Sequence, residues 1–565
     1  MLIDKINEIE FNKQEFEEMF NEMKTQIDIL NRDESLDLVL EAIDKINEIR
    51  DHYLTLYWIS YVFYIKDITN EKYLNSEKLM GEIEPIMDNL KLKYFKALNN
   101  SKYREELIKM LGSRTLEIAA NESKLLNDDI EDLITKEKSL CLKMLKLVVG
   151  TKTDFQGHDV TLSNLKPYYQ NADESIRKAA YNASYCQGLA IEEEGNNILD
   201  ELVLVRTELA HKLGFNNYFE VDLIRMNRLG YDLNDMKVLA SQVKNYLVPL
   251  HKKLKKVQAQ RLGHELRYYD KAYLFPDGNP KIKGNLDFIV KTTSEIINEM
   301  NSESGELFDF LFKEGLIDIK KSDHQAVGGI TTYLPDYKVP LFVSPCKNIY
   351  TDIATIHHEF GHSQQLYYSR NLKYNENRWP TFDICEIHSM SMEFLMFPHA
   401  EKYFGNDILK YQLGFWNEKL DYIIRVTMAY EFAEFTYSNP KATNKMRNQK
   451  WLELCKAYDR FIEGHEYLEK GIGWQSFGSG WDRPFYNIDY TIDIVCALSF
   501  YKKVKENPTQ AWEDYISLCK LGGSKSLPEL IKIANLDNPF KEGSMKELAN
   551  VIDNDIEELI KSTIW

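Results

Sequence analysis

The stretch that most constrains how this chain folds is TIHHEFGHSQQ, residues 355–365. Side chains four apart in an α-helix stand on one face, one turn above another. His358 and His362 can therefore offer two imidazoles to a single ion, provided the segment is helical. Glu359 then sits about 100° round the helix from His358 and reaches a water on that ion without being a ligand. Thr351 or Asp352 can cap such a helix, no proline falls between Pro345 and Pro380, and Ile356, Phe360 and Leu366 give it an apolar side. Gly361 costs roughly 1 kcal/mol in a helix interior, so a close neighbour is expected there. His357 has only Gly361 at i+4 and reads as a packing residue. With 12 His and 88 acidic residues in 565, about 0.04 matches to His-acid-x-x-His arise by chance. The reading as an ordinary polar helix is the weaker one.

Two imidazoles do not complete a catalytic zinc site, which needs a third ligand and an open position. The histidine spacing used by metzincins would put that ligand at position 368, where Tyr368 stands. A carboxylate on a nearby element is expected instead. DICEIHSMSMEFLMF, residues 383–397, opens on an acidic residue after Pro380 and then runs mostly apolar or small, with Glu386, His388 and Glu393 ionisable. A buried carboxylate is costly unless paired. Glu386 and Glu393 are seven apart and share a face, so one can bind the metal while the other holds a ligand imidazole. Salt bridges are the alternative for both, and Glu376, in the loop NLKYNENRW, is the weaker candidate ligand.

The rest of the chain is mostly helical in texture. ESLDLVLEAIDKINEIR sets Leu36, Leu40, Ile43 and Ile46 at three- and four-residue spacing, and NILDELVLVRTELAHKLG ends on Gly214, a C-cap. Two places break the pattern. TKTDFQGHDVTLSNLKPYY, from Thr151, is β-prone around a glycine and marks a seam, giving an N-terminal helical lobe over 1–150 and a region with the metal motif over 151–565. GGITTYLPDYKVPLFVSP, residues 328–345, predicts a hairpin or small sheet just ahead of that motif. The expected class is mainly α with a small β element beside the site.

Partners are bounded by charge and composition. A net charge of −18 argues against nucleic acid or an anionic membrane, both of which need a basic footprint. The apolar run YLTLYWISYVFYI, 13 residues from Tyr53, is too short to cross a bilayer and reads as a buried helix. The first residues are charged from Asp4 with no apolar core, so no secretory signal is expected. Seven scattered cysteines without a CxxC fit a reduced, cytoplasmic protein and offer no cysteine zinc site.

HEFGH with Glu386 28 residues after His358, in the setting CEIHSMSMEF, resembles the thimet oligopeptidase and oligoendopeptidase F family of zinc peptidases, most of all its Pz-peptidase-like branch. The likeness takes in the 328–345 segment, LGFNNYFEVDLIRMNR (213–228), TLSNLKPYYQNADESIRKAAYNA (161–183) and RPFYNIDYTID (483–493). It runs from about residue 150 to the C-terminus, and the earlier part matches only in helical character. The resemblance implies a two-lobed helical zincin-type metallopeptidase with a deep central channel and a small β-sheet beside the active site. It implies one Zn2+ per chain on His358, His362 and Glu386, with Glu359 as general base and short unstructured peptides as substrates. By the same likeness Asp352 and Glu393 support the ligands. Residues 333–343 would line the cleft, with Tyr333 and Tyr337 meeting a peptide that adds as a strand.

One stretch departs from the family. GWQSFGSGWDRPFYNIDY places Ser479 where members usually carry a substrate-holding histidine, which leaves Tyr486 and Tyr490 as oxyanion donors, with packing as their alternative role. Gly471, Gly473, Gly478 and Gly480 fit a mobile flap better than a phosphate cradle. The competing reading is a catalytically weak or inactive peptide-binding member of the same fold. A monomer or small homo-oligomer is expected.

Overall fold

The computed structural model describes residues 1–320, 329–476 and 479–562. Three long helices lead: α1 (Lys13–Arg32), α2 (Leu36–Lys66) and α3 (Glu71–Asn100). Asn12, Ser35 and Asn70 cap them, each side chain accepting a first-turn backbone N–H. Phe16, Met23 and Ile27 of α1 meet Val39, Ile43 and Ile46 of α2, and Ile83 and Leu90 of α3, in a core that also takes in Leu116 of α4 (Ser113–Glu122). This core is the first lobe's own apart from Tyr374, which reaches in from the later chain. The second half of α2 leaves it, and Ile59, Val62 and Phe63 join the larger core of the remaining chain. Helix α5 (Glu131–Gly150), although within the first 150 residues, packs Leu140 and Met144 on Ile198 and Leu202 of α6 (Glu192–Lys212). The first lobe's own core therefore stops short of α5.

The β-prone seam is a hairpin, β1 (Thr153–Phe155) and β2 (His158–Val160), turning on Gln156 and Gly157 at positive φ. Past α6, Gly214 takes φ +83°, and the Phe215 N–H reaches the Ala210 carbonyl at 2.9 Å, a left-handed helix stop.

The second sheet has β5 (Val339–Val343) between β3 (Ile317–Asp318), parallel to it, and β4 (Ile330–Leu334), antiparallel to it. The β4–β5 register runs from Ile330 opposite Val343 to Leu334 opposite Val339, and every residue of β5 is buried. The hairpin end touches the first lobe: the Asp336 N–H donates to Thr55 Oγ1 at 3.1 Å, and His52 Nδ1 lies 2.6 Å from Asp336 Oδ2.

Of the helices that follow, five bear on the site: α7 (Thr351–Ser369), α8 (Phe382–Met396), α9 (Ile408–Ser438), α10 (Asn487–Glu506) and α11 (Pro508–Leu521). Helix α8 is buried along most of its length and lies against α7 and α10. Among the described residues no helix is long and apolar enough to cross a membrane.

Candidate metal centre

Helix α7 carries both histidines, and its start differs from expectation. Tyr350 holds the N-cap position without a side-chain bond, and Asp352 turns back to accept the N–H groups of Lys347 at 2.8 Å and Ile349 at 3.0 Å. Its carboxylate thus fastens the loop entering the helix rather than a ligand imidazole. Gly361 has the close neighbour its cost implies: a Cβ there would lie 2.7 Å from both the His388 carbonyl oxygen and Ser389 Cα. With α7 and α8 touching backbone to backbone, the side chains beside the crossing converge.

Glu386 Oε2 lies 3.1 Å from His358 Nε2 and 3.3 Å from His362 Nε2. The three donor atoms are within 4.8 Å of one another and their residues are half-buried. Two imidazole nitrogens and one carboxylate oxygen so spaced are a donor set that zinc takes, with a fourth position left for water. Ser389 Oγ donates to Glu386 Oε2 at 2.7 Å. On the far side of the His358 ring, Nδ1 lies 3.1 Å from Glu393 Oε1, whose other oxygen meets Lys419 of α9. A partner on Nδ1 fixes the ring and leaves Nε2 for the metal. Burial would raise the Glu386 carboxyl, but His362 and then His358 hold it well below the usual range. Burial would lower His358, but Glu386 and then Glu393 raise it to about 10.

Glu359, only 7% exposed, is held by the small sheet. Thr331 Oγ1 donates to Glu359 Oε2 at 2.5 Å. A Cβ on Gly329 would stand 2.9 Å from Glu359 Oε1 and 2.7 Å from Ser344 Oγ, so a side chain there has to push these groups aside. The hydroxyls of Tyr486 and Tyr490 are 3.0 Å apart. Burial, then the Glu386 charge, lifts the Tyr490 phenol far above its ordinary value. Burial, then Cys385 and Glu386, does the same for Tyr486. Both hydroxyls keep their protons and can donate.

Other expectations are placed differently. Tyr333 is 1% exposed and does not line an open wall. Strand alternation puts it on the same face as Thr331, where its phenol, pushed by burial to about 12, feels Arg378 and Asp51. Tyr337 is half-buried in the turn Pro335–Tyr337 and packs on the larger core. Glu376 is buried against Arg50 at 2.5 Å, an ion pair joining α2 to this region, not a ligand. His357 is the packing residue expected, its Nε2 3.1 Å from the Tyr403 hydroxyl and its pKa lowered by burial to about 3. Ser479 opens a short helix, Ser479–Asp482, but its side chain lies outside the described residues, as do Gly478 and the Gly480 position beyond its backbone. Gly471 and Gly473 are wedged, since a Cβ would lie 2.4 Å from the Asn448 carbonyl oxygen and 2.8 Å from Trp451 Nε1 respectively. That is close packing rather than a flap.

Sequence reasoning missed Thr331, Ser389 and Lys419. Ser389 had a signal, standing three residues after Glu386 on the same helix. Thr331 and Lys419 reach the site from other elements and had none.

Known proteins resemble this chain in sequence and in fold. The profile of the Peptidase M3 N-terminal domain matches residues 6–126, and that of Peptidase family M3 matches residues 168–279 and 320–550. An oligoendopeptidase F homologue of Borreliella burgdorferi is 24% identical over 434 residues, spanning 72% of this chain and 68% of its own. Among solved structures, Pz peptidase A with an inhibitor is 33% identical, with a TM-score of 0.90 and coverage of 98% of this chain and 99% of that one. A candidate oligoendopeptidase F is 35% identical, with a TM-score of 0.90 and 99% of both chains covered.

Proposed function

This chain belongs to peptidase family M3 and is a metalloendopeptidase, and on that footing we propose that it hydrolyses short unstructured peptides with one zinc ion on His358, His362 and Glu386. The observation that carries this reading is the convergence of those three donor atoms within 4.8 Å, at a helix crossing that also presents Glu359. Zinc bound there supplies a Lewis acid and brings the pKa of a water toward neutrality. Glu359, steadied by Thr331, takes the proton of the attacking water and delivers it to the leaving amine. Tyr486 and Tyr490 donate to the oxyanion, and removing a donor of this kind commonly costs about 100-fold or more in rate. Glu393 holds the His358 ring in the required orientation. Tyr337 is a substrate contact at the hairpin end, and the first lobe, ending ahead of α5, walls one side of a channel to the site. The seven free cysteines suit a cytoplasmic setting, and a monomer or small homo-oligomer suffices, since all three ligands come from one chain.

The test is direct. Glu359→Gln should keep its zinc and lose nearly all cleavage of a quenched peptide, whereas Glu386→Ala should lose the metal. Substantial turnover by Glu359→Gln removes that residue from the mechanism. Ser479, standing where relatives of this kind carry a histidine, favours one second reading, a weakly active or inactive peptide-binding protein. Peptide binding without chelator-sensitive cleavage is the result that would support it.

A further inference from the structure

Phe382 opens α8 one turn before Glu386 and on the same face. In a helix otherwise largely buried its side chain is 40% exposed. Its ring meets Tyr486 edge to face, with centroids 5.7 Å apart at 89°. Across these rings lies Arg483, its guanidinium carbon 5.4 Å from the Phe382 centroid and 6.0 Å from that of Tyr486. Aromatic faces hold an arginine in place while leaving its planar donors free. The ion pair recorded for Arg483 is with its neighbour Asp482 at 4.0 Å, the two side chains 53% and 64% exposed. Such a pair is worth little.

Arg483 is thus a cation positioned before substrate arrives, over Tyr486 of the oxyanion pair and over Phe382, which stands one helical turn before Glu386. Its fork of donors matches a carboxylate, which it can bind in two parallel hydrogen bonds. The chain as a whole carries a net charge of −18, so a cation held beside the site is a local exception that a substrate carboxylate can use. We propose that Arg483 is a specificity-determining residue, selecting peptides that carry a carboxylate close to the scissile bond. This rests on the peptidase reading above. The carboxylate has two sources, an acidic side chain or the free C-terminus of a short peptide.

Quenched peptides with one Glu or Gln at each of the three positions on either side of the cleaved bond, each made as C-terminal acid and amide, separate these sources. With the zinc-loaded wild type, the carboxylate form should be preferred about tenfold in kcat/KM at one position or at the terminus. Arg483→Gln should bring that ratio to about one, and Arg483→Glu should invert it in favour of Lys at the same place. Unchanged Glu/Gln and acid/amide ratios in Arg483→Gln overturn the proposal. The same ratios measured as affinities, by fluorescence anisotropy on Glu359→Gln and on Glu359→Gln/Arg483→Gln protein, give the answer without turnover. A wild type that cleaves nothing would therefore defeat the peptidase reading and leave the Arg483 question decidable.

Discussion

Lys419 supports the centre at one remove, through Glu393 to His358 Nδ1. Losing an outer partner of a metal-binding histidine typically costs about 10- to 100-fold in metal affinity. Lys419→Met should weaken zinc binding by that order in competition with a chromogenic chelator, and Lys419→Arg should restore part of it. At Gly329 the expected effect is on rate. A methyl 2.9 Å from Glu359 Oε1 must displace the carboxylate, so Gly329→Ala should lower kcat while retaining zinc, checked by metal analysis beside peptide turnover. At this scale His358, Glu359 and His362 were legible because the helix period joins them; buried carboxylates that demand partners narrowed the third ligand to Glu386 or Glu393, and only the family resemblance chose Glu386. Lys419 and Thr331 were hidden because their contacts cross between elements far apart in sequence. Tyr333 misled because strand alternation, with the burial of each face unknown, leaves open which residues look outward.

The α7–α8 crossing holds the donor set together, and Gly361 sets its distance. In Gly361→Ala the new methyl would meet backbone 2.7 Å away, which cannot yield as a flexible side chain does. Overpacking of this kind costs about 1–3 kcal/mol, and spreading the crossing also moves His362 from Glu386. Urea unfolding should show the loss of stability, and chelator competition a fall in zinc affinity. Helix α8 was recognisable from its apolar run, and the β4–β5 hairpin from Val, Thr, Tyr and Phe between Gly and Pro. The two-residue strand Ile317–Asp318 was not, since so short a piece has no period and exists only by pairing with β5. The start of α7 was misjudged for a related reason: Asp352 had loop amides within reach, and a loop's path is not written in helix-cap preferences.

Ion pairs join the lobes. Arg50 and Glu376 are both buried, and removing one partner of such a pair commonly costs about 3–5 kcal/mol because the other is stranded. Arg50→Met should lower the unfolding midpoint strongly, and Arg50→Met/Glu376→Leu should recover much of the loss. His52 is a milder, pH-dependent tie. Its hydrogen bond to Asp336, offset by burial and helped by Glu15, raises it to about 9. A folded value above the unfolded one, about 6.5, stabilises fully below that pH and fades as pH rises through about 9. With its side chain 40% exposed, the tie is worth about 1 kcal/mol or less. His52→Gln should be slightly less stable than the wild type in urea at low pH and indistinguishable from it once pH is well above 9. Two lobes were foreseen from the seam, yet α5 packs on α6, across the boundary placed at residue 150, because helical texture does not say which core a helix joins. Helix α2, 31 residues without interruption, is embedded in both cores. A rod clamped at each end ties the two cores to one another, so neither half can shift against the other without bending that helix or unseating one of its ends.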